Sequence, residues 1–169
     1  MTDPGASVPI ASAADHQLAV SLAEEAGHLL LDLREELAGA DPSTLKREGD
    51  RRSHELLMAR LAESAPDDGV LSEEGRDSAE RLSRPRVWII DPLDGTREFS
   101  EPPRSDWAVH VALVAEGHPI AGAVGLPARG VTLSTLHPSP TPPAPEGPPR
   151  VIVSRSRPPL AASSMISLA

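Results

Sequence analysis

The chain contains no cysteine and no tyrosine, and Trp88, Phe99 and Trp107 are its only aromatic residues. Without thiols it can form no disulfide, no thiolate zinc site and no thiol nucleophile. With so few rings, its core must be built from Leu, Val, Ile and Ala. Basic side chains are in the minority, 16 Lys and Arg against 25 Asp and Glu, for a net charge of −9. That balance argues against a nucleic-acid polymer as partner, since such binding needs a basic surface. It does not exclude a phosphate ligand, because a bound metal can invert the local charge. No apolar run approaches the roughly 20 residues that cross a bilayer, so no membrane partner is expected. Residues 1–14 are small and polar with no basic n-region, which reads as a disordered lead rather than a signal peptide, with a cytoplasmic location as the default. What is present, 169 residues of which 39% are apolar, suffices for one domain and leaves no room for two full-sized ones.

From Asp15 the pattern is helical: Leu18, Leu22, Ala26, Leu29, Leu30, Leu33 and Leu37 recur at steps of three and four. Gly39 is the expected C-cap, with Asp41-Pro42 beyond it. A second helix is expected from near Asp50 to Ala65-Pro66, burying Leu56, Leu57 and Leu61. Asp50 then sits at or just before its first turn, where the helix dipole favours a carboxylate. A short strand, Gly69-Val70-Leu71, runs into Ser72-Glu73-Glu74, and a short helical piece over Asp77–Leu82 precedes a buried strand, Val87-Trp88-Ile89-Ile90. Further on the period falls to two: Trp107, Val109, Val111 and Leu113 alternate with Ala108, His110 and Ala112. Ile120–Leu126 and Val131–Leu136 complete an antiparallel meander.

Between Pro138 and Pro149 seven of twelve residues are proline, which makes an extended loop or linker, or less simply a polyproline ligand. A strand, Val151-Ile152-Val153, and a weakly patterned tail follow. The domain reading is a lead over 1–14, an α+β domain over 15–137, a linker over 138–149 and a remnant over 150–169.

The segment with chemical content is Ile90-Asp91-Pro92-Leu93-Asp94-Gly95-Thr96. A buried strand delivers Asp91 at its carboxyl end, a common place for sites in α/β structures. Asp91 and Asp94, three apart across a turn, can converge on one point. Gly95 permits close backbone approach, and the N–H groups at Thr96 would face an anion. Carboxylates beside anion-binding amides make sense when cations lie between protein and phosphate, and Mg²⁺ is the natural one. The plain alternative is a turn shaped by Asp, Pro and Gly. Glu73-Glu74 also follows a strand, although such a pair is commonly just solvated, and Asp50 alone is most simply a helix cap. A covalent-aspartate phosphatase of the haloacid-dehalogenase type would need its two aspartates two apart, not three. Trp88 and Trp107 read as core anchors, and His110 as a half-exposed strand residue.

The run Trp88-Ile89-Ile90-Asp91-Pro92-Leu93-Asp94-Gly95-Thr96 resembles the hallmark of the inositol monophosphatase family of lithium-sensitive, Mg²⁺-dependent phosphatases. Val70-Leu71-Ser72-Glu73-Glu74 resembles a second family segment, and Thr44–Asp50 more loosely a third, in the family's order. Arg97-Glu98-Phe99, Asp106–Leu113 and Leu126–Gly130 are similar to the 3′(2′),5′-bisphosphate nucleotidase, CysQ-type branch. The resemblance spans about residues 15–155.

It implies a layered α/β fold of the α+β sandwich kind, with two N-terminal helices on a largely antiparallel sheet. It implies that Glu73, Asp91 and the Leu93 carbonyl hold one Mg²⁺ and that Asp91 and Asp94 help hold a second. Gly95, Thr96 and, less simply, Arg97 would meet the substrate phosphate. Thr96, oriented by Asp50 and with Glu73 assisting, would deprotonate the attacking water. The implied reaction is removal of the 3′-phosphate from 3′-phosphoadenosine 5′-phosphate or its sulfated form, with no covalent intermediate, in sulfur metabolism. An inositol-phosphate phosphatase and an inactive fragment remain open as alternatives. The chain is shorter than the family's members and lacks their Trp-Asp motif. A sheet left with an uncovered apolar face would invite a homo-oligomer or a C-terminal partner half.

Overall fold

The computed structural model describes residues 9–75, 79–144, 146–147 and 153. Two helices lie on one face of a five-stranded sheet. The first, α1 (Ala13–Glu36), starts two residues earlier than its apolar stripe suggests, because Ser12 and Asp15 form a reciprocal capping box. It ends at Leu37, so Gly39, with its positive φ, lies beyond the cap. The second, α2 (Pro42–Ser64), corrects the expected start near Asp50. Asp41 is its N-cap, accepting from the Ser43 and Thr44 amides, and Pro42 occupies the first turn. Asp41-Pro42 therefore opens a helix rather than trailing one. Asp50 lies mid-helix, where no terminal dipole acts on it.

The sheet runs β1 (Gly69–Ser72), β2 (Arg86–Asp94), β3 (Ala108–Ala115), β4 (His118–Leu126) and β5 (Val131–Ser134), in that spatial order. β1 and β2 are parallel and the remaining pairs antiparallel, as the meander requires. β2 runs on through the Asp-Pro-Leu-Asp segment expected as a turn, with a register shift against β3 between Asp91 and Asp94. A four-residue helix, α3 (Thr96–Phe99), follows Gly95, whose φ of 82° is left-handed and suits a residue without a side chain. The helical piece expected over 77–82 is a 3₁₀ turn over Ala79–Ser83, with residues 76–78 outside the described set. The chain divides into two units, Met1–Ser139 and Pro140–Ala169. The described residues of the second form no helix or strand. Residues 151–152 of the expected strand lie outside the described set and Val153 is in no element.

The core lies between helices and sheet, with Leu22, Leu30, Leu57 and Leu61 against Trp88, Ile90, Val111 and Leu113, all at most 2% exposed. Arg86 bridges Asp15 of α1 and Asp68 before β1, and the Trp88 indole donates to Asp68 at 2.9 Å. The other face of the sheet is also apolar at Ile89, Ala112, Val124 and Leu133, but open: Ile89 and Leu133 are 40% and 45% exposed. Among the described residues no helix is long and apolar enough to cross a membrane.

Arg34 of α1 fastens the loop that follows the acidic motif. Its guanidinium donates to the carbonyls of Phe99, Arg104 and Glu98 at 2.8, 2.9 and 3.3 Å. It also lies over the Phe99 and Trp107 rings, which meet edge to face at 5.1 Å. A lysine has no planar fork to reach several carbonyls at once. Arg34→Lys should therefore lower the unfolding free energy by about 1–3 kcal/mol in urea denaturation, the cost of carbonyls left without donors.

Gly49 is buried where α2 crosses this loop, and a Cβ there would lie 2.8 Å from both Leu93 Cδ2 and Phe99 Cε1. Alanine is the better helix former by about 1 kcal/mol. Overpacking at a buried contact costs roughly 1–3 kcal/mol. Gly49→Ala is thus expected to lower the melting temperature, against its helix propensity.

Candidate active site

The parallel pairing of β1 and β2 builds the site. Ser72 is level with Ile90, and the Glu73 amide donates to the Ile90 carbonyl at 3.2 Å. The next residue on each strand is an acid, so Glu73 and Asp91 stand side by side. Their carboxyl groups are within hydrogen-bonding reach of one another. Alternation along β2 directs Ile90 into the core and Asp91 to the open face. A depression of about 400 Å³ on that face has Leu71, Ile89 and Ala112 as its floor and Glu73, Asp91 and His110 at its rim.

A second pair stands next to the first. Asp50, half-buried on α2, accepts from the Thr96 hydroxyl at 3.3 Å, and that hydroxyl also lies 3.1 Å from the Leu93 carbonyl. Burial, then the charges of Glu74 and Glu73, push Asp50 up to about 6. Burial, then the neighbouring Glu73, likewise push Asp91 up to about 6, against the Leu93 amide donating to Asp91. The two pairs feel one another's charge: Glu73 acts on both Asp91 and Asp50, and Lys46 partly offsets the acids at Asp50.

The remaining expected residues are placed differently. Asp94 meets His110, with Oδ2 and Nε2 3.1 Å apart, and its charge also acts on Asp91. The bulge keeps the two aspartates on one face: Asp91 is level with His110 and Asp94 with Ala108, two residues away on β3. Among the described residues no three His, Asp or Glu side chains are gathered as a metal-holding group. Arg97 is exposed and pairs with Glu101 at 3.2 Å. Leu93 is buried, with its carbonyl toward Thr96.

His110 is the half-exposed strand residue expected from the alternation, on the face of Asp91. Two residues at the site were not singled out from the sequence: Ser53 and His54 stand three and four residues after Asp50, on the same helical face. A correct start for α2 would have revealed them.

Two helices thus back a mixed sheet whose adjacent strands β1 and β2 deliver acids side by side. The chain belongs to the inositol monophosphatase family, whose sequence model matches residues 12–138. It is 49% identical over 143 residues to a Mycobacterium bovis protein named 3′-phosphoadenosine 5′-phosphate phosphatase, covering 80% of this chain and 54% of that one. A protein of the same name from Mycobacterium leprae is 52% identical over 125 residues, covering 69% and 46%. The fold matches the crystal structure of inositol monophosphatase II from Staphylococcus aureus with a TM-score of 0.66 at 28% identity, over 73% of this chain and 46% of that one. The chain thus spans about half the length of the curated relatives it matches. Phosphatases of this family are metal-dependent.

The raised carboxyl values have a sign that can be tested. A folded carboxyl near 6 holds a proton that the unfolded chain releases around 3.8, so stability falls as pH rises through that window and stays low above it. In EDTA, Asp91→Asn should raise the melting temperature at pH 7.5 and leave it much less changed at pH 4. Equal shifts at both pH values would contradict the crowding of charge at Asp91.

Proposed function

We propose that this protein is a Mg²⁺-dependent phosphomonoesterase that removes the 3′-phosphate from 3′-phosphoadenosine 5′-phosphate or its sulfated form. The observation that carries the reading is the adjacency of Glu73 and Asp91 beside the Asp50–Thr96 pair. The donor set fits the ion, since every candidate ligand is a carboxylate or carbonyl oxygen. Glu73, Asp91 and the Leu93 carbonyl would hold one Mg²⁺, and Asp91 with Asp94, released from His110, would help hold a second. When bound, Mg²⁺ supplies an acidified water and neutralises charge on the phosphoryl oxygens.

The chain's own groups do the rest. Thr96 can pass its hydroxyl proton to Asp50 while taking one from the attacking water. An Asp50 poised near 6 accepts such a proton close to neutral pH more readily than an ordinary aspartate. The backbone N–H groups at Gly95 and Thr96 are assigned to the phosphate oxygens. The open depression beside Asp91 is assigned to the leaving group. The choice of a nucleotide rests on the relatives at about half identity that carry that name.

One observation favours a second reading. Asp94 is bonded to His110, and among the described residues no three acidic or histidine side chains are gathered to hold an ion, which suits a chain that does not catalyse by itself. Phosphate release from 3′-phosphoadenosine 5′-phosphate and from inositol 1-phosphate, each with Mg²⁺, separates the readings. Turnover of the nucleotide that Asp91→Asn abolishes is the expected result. Preference for inositol 1-phosphate would move the substrate class. Release from neither would leave the non-catalytic reading, and turnover undiminished in Asp91→Asn would place the chemistry elsewhere.

A further inference from the structure

The acids come from two strands, yet the side chains that fix the strand ends come from one helix. On α2, Asp50, Ser53 and His54 share a face. Ser53 is fully buried and donates to the Pro92 carbonyl at 2.7 Å, within the bulge that follows Asp91. His54 Nδ1 and Ser72 Oγ are hydrogen-bonded at 2.9 Å, and the ring's Cε1 lies close against Gly75. Ser72 is 7% exposed and immediately precedes Glu73. Its backbone carbonyl accepts from the Gly75 amide at 3.2 Å, so Ser72 is also the hinge of the turn that carries Glu73 and Glu74. One strand end is therefore fastened to α2 through Ser53, and the other through His54.

We infer that His54 is a positioning residue that, by holding Ser72, sets the Glu73 turn against Asp91 and so fixes the spacing of the two carboxylates. It touches neither acid. β1 is only four residues long and pairs with one neighbour, β2. Its end and the following turn are held by the Glu73 amide on the Ile90 carbonyl and the Gly75 amide on the Ser72 carbonyl. A rigid ring on a helix already locked to the Pro92 carbonyl adds a side-chain hold to those backbone bonds. The inference rests on the metal-site reading only for its purpose, since the hold on the turn can be measured without any ion.

The experiment uses the full chain at pH 8, with His54→Ala, His54→Asn, Ser72→Ala and the His54→Ala/Ser72→Ala double variant. Amide hydrogen exchange in EDTA reads the turn, and Mn²⁺ titration followed by loss of the free-ion paramagnetic signal reads the site. Loss of the tether should speed exchange at Glu73–Gly75 by about 10-fold or more in His54→Ala, with β3 and β4 unchanged. Mn²⁺ affinity should fall about 10-fold, as for other groups that orient metal ligands. The asparagine amide can reach Ser72 as Nδ1 does, so His54→Asn should restore both. The double variant should be no worse than His54→Ala, because both lose the same bond. Ser72→Ala gives the same readings should His54→Ala fail to fold.

Exchange at Glu73–Gly75 unchanged in His54→Ala or Ser72→Ala would overturn the inference. So would an asparagine variant no better than alanine, or Mn²⁺ affinity unmoved while the turn loosens. Faster exchange in a chain whose wild type binds no Mn²⁺ would uphold His54's hold on the turn and refute the metal reading instead.

Discussion

Asp91 is half-buried beside the Glu73 carboxylate, and burial together with that neighbouring charge makes its own charged form costly. The strand pairing brings Glu73 and Asp91 together. The parallel pairing of β1 with β2 puts Ser72 level with Ile90, and the residue after each is an acid. Once that register is set, the crowding of charge follows, and with it the raised value of Asp91. The rest of the molecule can be understood as the scaffolding that keeps this unfavourable arrangement from relaxing. α2 holds both strand ends, and Arg34 holds the loop beyond them through its carbonyls and two aromatic rings.

Much of this was legible in the residues. The period-two run after Trp107 and the apolar run at Val87–Ile90 identify β3 and β2, and an acid at the end of each of two strands marks the site. The start of α2 was not legible, for a physical reason. Its buried face reads Leu45, Gly49, Ser53, Leu57, Leu61, and two of those five are not apolar. Gly49 is there because the Leu93 and Phe99 side chains leave no space for a Cβ, and Ser53 because it must reach the Pro92 carbonyl. The positions that bring the helix to the site are therefore the ones that erase its hydrophobic signature. An apolar-periodicity reading begins the helix only where contact with the site has ended.

The segment from Asp91 to Asp94 departs from the expected turn for a related reason. Asp, Pro and Gly in close succession are turn residues by habit, yet β2 keeps its strand conformation through Asp94 and absorbs Pro92 and Leu93 as a bulge against β3. Pro92 is tolerated because a bulge does not ask every amide to join the ladder. The consequence is chemical: the bulge keeps Asp94 on the face of Asp91, and its carboxylate meets the ring of His110, the residue level with Asp91 on β3.

The two faces of the sheet differ in what covers them rather than in what they are made of. Ile89, Ala112, Val124 and Leu133 repeat on the open face the apolar character that Trp88, Ile90, Val111 and Leu113 have on the helical face. Strands of that composition are suited to burial on both sides. The carboxylates stand at the border of that face, beside the depression floored by Leu71, Ile89 and Ala112. Whatever lies over the face also forms the wall of the site. Glu73, Asp91 and their supports on α2 all fall within residues 41–99, with the supports on the helical side of the sheet and the two acids at the border of the open one.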